Sequence, residues 1–403
     1  MQKDNPKTIL FLLSAMGFLT SGDIYSSAPL LVSISADLKI TVTSAALSVT
    51  SYMGAFALFN LVFGPLGDRY GRTKIIILCS FGTSIFSCLC FLADSLSALI
   101  FYRMFNGAFA AGIMPVSVAI IGEVFTENKR QKAITSMIGI MILGGASAAF
   151  IGGGLSYYFS WKSVYLLYGM AELGVAFWLL FRLDHLAPTK EKLSILKMYP
   201  QVLNNRLVLC CFLLVGTGGI IVAGAFSFTG ELLRSTTDLN LLQIGAVLSL
   251  FGTGGIASSG LSGYVRRLSI FRVCAIAGVC GSVSIYCLSF TTATWGFAAA
   301  FFIWGLSFVS IHSAYINAVQ SLIPDLKGTI MSLMSFCWLS GGTLGTLINK
   351  QVIELYQVGT VYVYTSVLFV VFAVIAASVL SIINRVAISP DNTKEREACI
   401  LTD

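Results

Sequence analysis

Long apolar runs alternate with short charged clusters from one end of the chain to the other. With charges and Gly/Pro punctuation as boundaries, the first half is predicted to hold spans at about 8–33, 43–66, 73–93, 97–123, 132–157 and 161–182. The second half gives about 207–232, 239–263, 269–290, 293–323, 328–350 and 359–384. Each run matches or exceeds the roughly 20 residues a helix needs to cross a hydrocarbon core. The first run is too long for a signal-peptide core and no small-residue cleavage site follows it, so it is read as a span. The longest connection contains Pro188, Lys190, Glu191, Lys192 and Lys197. The expected organisation is a six-helix bundle over 1–183, a cytoplasmic central loop over 184–206, a second six-helix bundle over 207–385, and a cytoplasmic tail over 386–403.

Composition removes the soluble alternatives. Of 403 residues, 56% are hydrophobic and only 11% are charged, whereas a soluble domain carries about 25% charge. The net charge of +7 is spread between apolar segments, so it reports membrane orientation and nucleic acid is not an expected partner. With both termini cytoplasmic, 20 of the 25 Lys and Arg fall on that side. The far side keeps Lys39, Lys162, Arg234 and Lys350, and Arg103 lies within a span. The positive-inside rule therefore sets both termini inside, and a multi-pass protein of the plasma (inner) membrane is expected. Nine of the ten cysteines sit in apolar runs, and the two histidines are His185 and His312. Neither disulfides nor a metal site is expected from that pattern. There is no Ser-His-Asp set, paired-carboxylate set or Gly-x-x-x-x-Gly-Lys-Ser/Thr run, which argues against an intramembrane enzyme or nucleotide-driven pump. A lipid scramblase would need a lipid-facing polar groove.

An internal repeat points to transport. Gly64-Pro65-Leu66-Gly67, followed by Asp68, Arg69 and Arg72, recurs as Gly260-Leu261-Ser262-Gly263 followed by Arg266 and Arg267. Both copies join the second span of their half to the third, and parallel repeats of this kind are a transporter architecture. The run Gly64-Pro65-Leu66-Gly67-Asp68-Arg69-Tyr70-Gly71-Arg72-Thr73-Lys74 resembles the signature loop of the major facilitator superfamily. Asp23-Ile24-Tyr25 with Pro29, Arg103-Met104-Phe105-Asn106-Gly107, and Ser160-Trp161-Lys162 agree with it. Within the superfamily the chain is most similar to the twelve-span drug:proton antiporters, a branch of multidrug, bicyclomycin and sugar exporters. The resemblance implies an all-α membrane fold of two pseudo-symmetric six-helix bundles with the substrate site between them. It also implies alternating access and proton-coupled efflux of a small organic molecule such as a drug. The proton gradient would supply the energy, with no cofactor. The expected partners are that substrate, protons and the lipid bilayer, and the protein is expected to act as a monomer. Two positions depart from the family pattern. The span 5 run from Gly144 to Gly154 lacks the antiporter proline, which leaves a proton-coupled importer of metabolites, sugars or siderophores as the alternative. Asn106 stands where the family's span 4 motif has Gln.

Ionisable groups within a bilayer are expensive, at ~2.5 to 3.5 kcal/mol or more near a helix centre. Asp23 lies ~22 Å from the inner start of span 1 and Arg103 ~21 Å from the same face. Equal depth on two helices expected to line the cavity makes Asp23 and Arg103 a candidate proton-coupling pair, with a static ion pair as the alternative. Glu172, in the middle of span 6, is either a second protonatable site or hydrogen-bonded inward. His312 would titrate near ~6.5 if wetted. Tyr25, Tyr52, Asn60, Asn106, Met114, Trp304, His312, Tyr315, Asn317 and Trp338 form the expected substrate-cavity lining. Trp161 and Trp295 are expected as interfacial anchors. Gly64, Gly67, Asp68, Arg69, Gly71, Arg72 and Glu123 form the expected conformational gate. Within it, Asp68 would approach the start of span 11 near Gly328 and Thr329, Arg72 would pair with Glu123 or Glu127, and Gly71 would supply a positive φ. Glycine groups in spans 5, 7 and 8 suit close packing between helices.

Overall fold

The computed structural model describes residues 5–183, 203–204, 206–265, 270–322 and 327–388, and these are helical with no strand among them. The central loop and the tail lie almost wholly outside the described residues. Span 1 runs as Pro6–Tyr25 and Ser27–Leu38, span 2 as Val42–Tyr70 and span 3 as Arg72–Cys90. Span 4 runs as Leu96–Ala110 and Ile113–Val124, span 5 as Glu127–Tyr158 and span 6 as Trp161–Arg182. Span 7 begins with Arg206–Gly218 and ends with Thr229–Thr236; spans 8 to 12 are Leu241–Val265, Ile270–Cys287, Thr294–Leu322, Lys327–Leu355 and Val358–Ile388. Eleven of the spans are long and apolar enough to cross a bilayer, and span 9 contributes the shorter apolar helix Phe271–Cys287.

Two spans are broken four residues upstream of a proline, whereas Pro65 lies within the unbroken helix of span 2. A proline ring collides with the carbonyl four residues earlier and supplies no N–H. Pro29 therefore falls on Tyr25, where the first helix of span 1 stops, and Pro115 falls on Ala111, immediately after the first helix of span 4. The hydroxyls of Ser26 and Ser27 donate back to the Asp23 and Ile24 carbonyls at 2.9 and 3.0 Å, which satisfies acceptors freed at the break. Span 7 deforms differently, through the π-helical turn Gly219–Ala223, a form that often marks functional sites.

Packing repeats with a shift of six spans. Spans 1 and 5, 2 and 4, and 3 and 6 pair closely in the first half, and spans 7 and 11, 8 and 10, and 9 and 12 pair in the second. The buried apolar residues follow suit, with two clusters in the first half and one built mainly from the second. The halves meet along spans 5 and 8 and along spans 2 and 11, two contacts related by the same shift.

At the face expected to be outer, the seam is tight. A side chain on Gly153 would meet the Leu241 carbonyl and the Gly245 Cα, and one on Gly230 would meet the Ala28 carbonyl. Thr43 donates to Glu354 at 3.0 Å between spans 2 and 11. At the opposite face Gly71 joins spans 2 and 3 with φ of 99° and ψ of 129°. A Cβ there would meet nothing within 4 Å, so the cost of a side chain is backbone strain alone, about 1–3 kcal/mol. Gly71→Ala is accordingly expected to lower the thermal unfolding midpoint of the purified protein, and an unchanged midpoint would contradict this reading of the turn.

Candidate functional site

The intramembrane charges meet inside the first bundle. Arg103 Nη1 donates to Asp23 Oδ1 at 2.8 Å, and both side chains are 1% exposed. The same Nη1 reaches Asn106 Oδ1 at 2.8 Å, one helical turn along span 4. Asn106 in turn donates to the Thr83 carbonyl and hydroxyl at 2.9 and 3.1 Å, tying span 4 to span 3. Ser87 Oγ donates to the Tyr165 carbonyl at 3.0 Å and lies 3.4 Å from the second Asp23 oxygen. The guanidinium lies over the ring of Tyr52 at 4.1 Å and that of Tyr165 at 4.9 Å, an arrangement that stabilises a desolvated cation through the ring faces.

Glu172 adds a second carboxylate to this cluster. It is completely buried and feels the charges of both Asp23 and Arg103. Among the described residues neither of its oxygens has a hydrogen-bond partner. The Thr20 and Thr83 hydroxyls lie alongside it. Span 6 therefore turns a polar group inward, and spans 1, 3, 4 and 6 share one buried site holding two carboxylates and a guanidinium.

The structure revises much of the expected cavity lining. Tyr52 and Asn106 are fully buried around Arg103, inside the first bundle and part of the charge cluster. Trp304 is fully buried in an aromatic group with Phe226, Phe251 and Phe301 inside the second bundle. Asn60 is 2% exposed and donates to the Ser332 carbonyl at 3.2 Å, which makes it a bridge between spans 2 and 11. Tyr315 is buried, with its hydroxyl 2.5 Å from His312 Nδ1. Met114 is half-buried in the second helix of span 4. Tyr25 and Trp338 do come together across the seam, and Tyr25 is 37% exposed. Trp338 also packs against Phe308 and His312, with ring centroids 5.1 and 5.3 Å apart. The side chain of Asn317 lies outside the described residues.

The gate residues are partly described. Arg72 pairs with Glu123 at 2.6 Å and also donates to the Ala119 carbonyl at 3.3 Å, pinning the start of span 3 to the end of span 4. Gly67 is buried, Gly64 is half-buried with open space where a side chain would go, and Arg69 is exposed with its guanidinium over the Tyr70 ring. The side chains of Asp68, Glu127, Gly328 and Thr329 lie outside the described residues, and so does the expected approach of Asp68 to span 11. Of the two expected anchors, Trp295 is 86% exposed, whereas Trp161 is buried and donates to Asp37 at 2.8 Å. Trp161 is thus a structural tie between spans 6 and 1.

The family model described as Major Facilitator Superfamily matches residues 13–346. The chain belongs to this superfamily. It is 24% identical over 371 residues to the MFS-type transporter YceJ of Bacillus subtilis (strain 168), covering 90% of this chain and 93% of that one. It is 25% identical over 327 residues to the multidrug transporter MdfA of Edwardsiella ictaluri (strain 93-146), covering 75% and 76%. A solved structure of a variant of the nucleoside transporter NupG superimposes with a TM-score of 0.73 over 94% of this chain and 100% of that one, at 14% identity. This member of the superfamily is a multi-pass membrane transporter and not an enzyme.

Proposed function

We propose that the protein is a proton-coupled antiporter that exports a small organic molecule, such as a drug, by alternating access. The observation that carries the reading is the buried set of Asp23, Arg103 and Glu172, two carboxylates against one guanidinium inside a membrane domain. Ionisable groups at that depth are costly and typically mark proton relays or ion pathways. One proton bound to the set balances its charge and its departure unbalances it, so a conformational change that wets spans 1 and 4 becomes coupled to proton release. The breaks at Ser26 and Ala111 give those two spans places to bend. Similarity to MdfA, a multidrug transporter, supports a drug-like substrate. The aromatic pair of Tyr25 and Trp338 at the seam suits a planar or amphipathic organic substrate.

In this reading the gradient supplies the energy, no cofactor takes part, and a single chain works with both termini cytoplasmic in the plasma (inner) membrane. The charge asymmetry of the connections supports that orientation. The Arg72–Glu123 pair braces the loop between spans 2 and 3, and the Asp68 side of that loop acts as the cytoplasmic latch.

The test uses purified protein in liposomes with the membrane potential clamped, offered ethidium, riboflavin and uridine in turn. Antiport predicts accumulation of a substrate when the lumen is acidic and none when the gradient is reversed. Accumulation only with an acidic exterior would establish import instead.

A further inference from the structure

We propose that Glu172 is the residue that takes up and releases the proton, while Asp23 stays ionised as the fixed counter-ion of Arg103. This deepens the coupling reading above. The seat of the proton follows from geometry, and only the use made of its release rests on that reading.

The two carboxylates occupy opposite chemical situations. Asp23 accepts a charged hydrogen bond on one oxygen from Arg103 at 2.8 Å, while the Ser87 hydroxyl, 3.0 Å from the Tyr165 carbonyl, lies 3.4 Å from the other. Charge-assisted hydrogen bonds of this kind favour the ionised acceptor. Glu172 is as deeply buried, yet among the described residues neither of its oxygens has a hydrogen-bond partner of good geometry, with the Thr20 and Thr83 hydroxyls alongside. An ionised carboxylate without a donor is the costliest form a buried polar group can take, whereas the protonated acid is neutral and carries its own donor.

The Thr20 hydroxyl points the same way. Thr20 has spent its proton on the Met16 carbonyl at 2.9 Å, so toward Glu172 it presents lone pairs only. A hydrogen bond between them therefore requires a protonated Glu172 as the donor. Thr83 accepts from Asn106 at 3.1 Å, which leaves its own proton free, so it is the one neighbouring hydroxyl able to donate to Glu172.

The groups facing Glu172 from the packed elements complete the charge balance. They are Asp23 on span 1, Tyr52 on span 2, Cys88 on span 3, Arg103 on span 4 and Tyr168 on its own span. Among these described groups Arg103 is the single cation, and its one hydrogen-bonded nitrogen is shared between Asp23 and Asn106. Tyr52 and Cys88 contribute no positive charge, and the Tyr168 hydroxyl has no partner. Uptake of one proton by the Glu172 carboxylate brings the set to neutrality. Release gives the proton to water and leaves the set with one negative charge in excess, so conformations that bury or wet the cluster hold the two forms.

Infrared difference spectroscopy of the full chain in lipid reads this without any substrate, through the C=O stretch of a protonated carboxyl. Wild type is expected to show a deuterium-sensitive band that titrates away as pH rises. Glu172→Gln is expected to remove the band, Glu172→Asp to restore one at a shifted position, and the charge-neutral double variant Asp23→Asn/Arg103→Gln to keep it. A band that survives Glu172→Gln, or that vanishes in the folded double variant while Glu172 is present, would overturn the assignment. Glu172→Gln is nearly isosteric and keeps the Asp23–Arg103 pair, so it decides the matter even if the double variant does not fold. If the band behaves as expected while gradient-driven transport is absent in the liposome assay, the coupling reading fails and the assignment of the proton to Glu172 stands.

Discussion

Removing both buried carboxylates is expected to destabilise the protein by far more than the two single substitutions together. Glu172→Gln alone leaves Asp23 on Arg103 at 2.8 Å and replaces a group without hydrogen bonds, so it should cost under ~1 kcal/mol. Asp23→Asn removes the counter-ion, but Glu172 lies within electrostatic reach of Arg103 and takes over that role. Its cost should stay near ~1–2 kcal/mol. In the double variant the guanidinium, 1% exposed, keeps only its aromatic and amide neighbours. A buried charge stripped of its partner costs about 3–5 kcal/mol. Thermal unfolding of the four proteins in one detergent measures the coupling. Additive shifts would mean that Glu172 and Arg103 do not share a charge balance.

The second large effect concerns the seam between spans 5 and 8. Gly153 faces the Leu241 carbonyl and lies where a Cβ would sit 2.9 Å from the Gly245 Cα, and Gly245 faces the Ala149 carbonyl in return. Small residues let two helix backbones touch in a membrane, where close packing drives association. Gly153→Val leaves no such approach and wedges the expected outer face open. Transport is expected to fall more than tenfold, a loss on the order of 1.4 kcal/mol or more. Spin labels at Tyr157→Cys and Asp238→Cys, both exposed positions beside that seam, should move apart in a cysteine-free background. Unchanged label distances with near-normal transport would show that the contact does not govern closure.

The helical layout was legible because every span announces itself as an uninterrupted apolar run. The predicted span 6, about 161–182, coincides with Trp161–Arg182, and span 4 at about 97–123 lies within a residue of the outer ends of its two helices. Charge burial was legible too, since Asp23, Arg103 and Glu172 stand out against apolar neighbours at mid-span. The breaks carried a readable signal that was not used, namely Pro29 and Pro115 acting four residues upstream. The π turn of span 7 is bracketed by glycines and has no comparable marker.

Helix faces were the illegible part. A span surrounded by lipid and apolar protein is hydrophobic all round, so no amphipathic stripe tells seam from bundle interior. Tyr52, Asn106 and Trp304 consequently looked like lining, although each serves a bundle core. Trp161 and Trp295 share a place near a span end. Only the structure shows that the first finds Asp37 at 2.8 Å while the second stays exposed.

The central claim is that protons and substrate move in opposite directions through one protein. It is tested most directly by recording luminal pH in liposomes carrying the purified chain while a transported substrate is added outside at zero membrane potential. The account predicts that substrate entry drives protons out, making the lumen alkaline, and that Glu172→Gln abolishes this pH change. Acidification of the lumen with substrate entry, or substrate entry with no pH change in wild type, would contradict it.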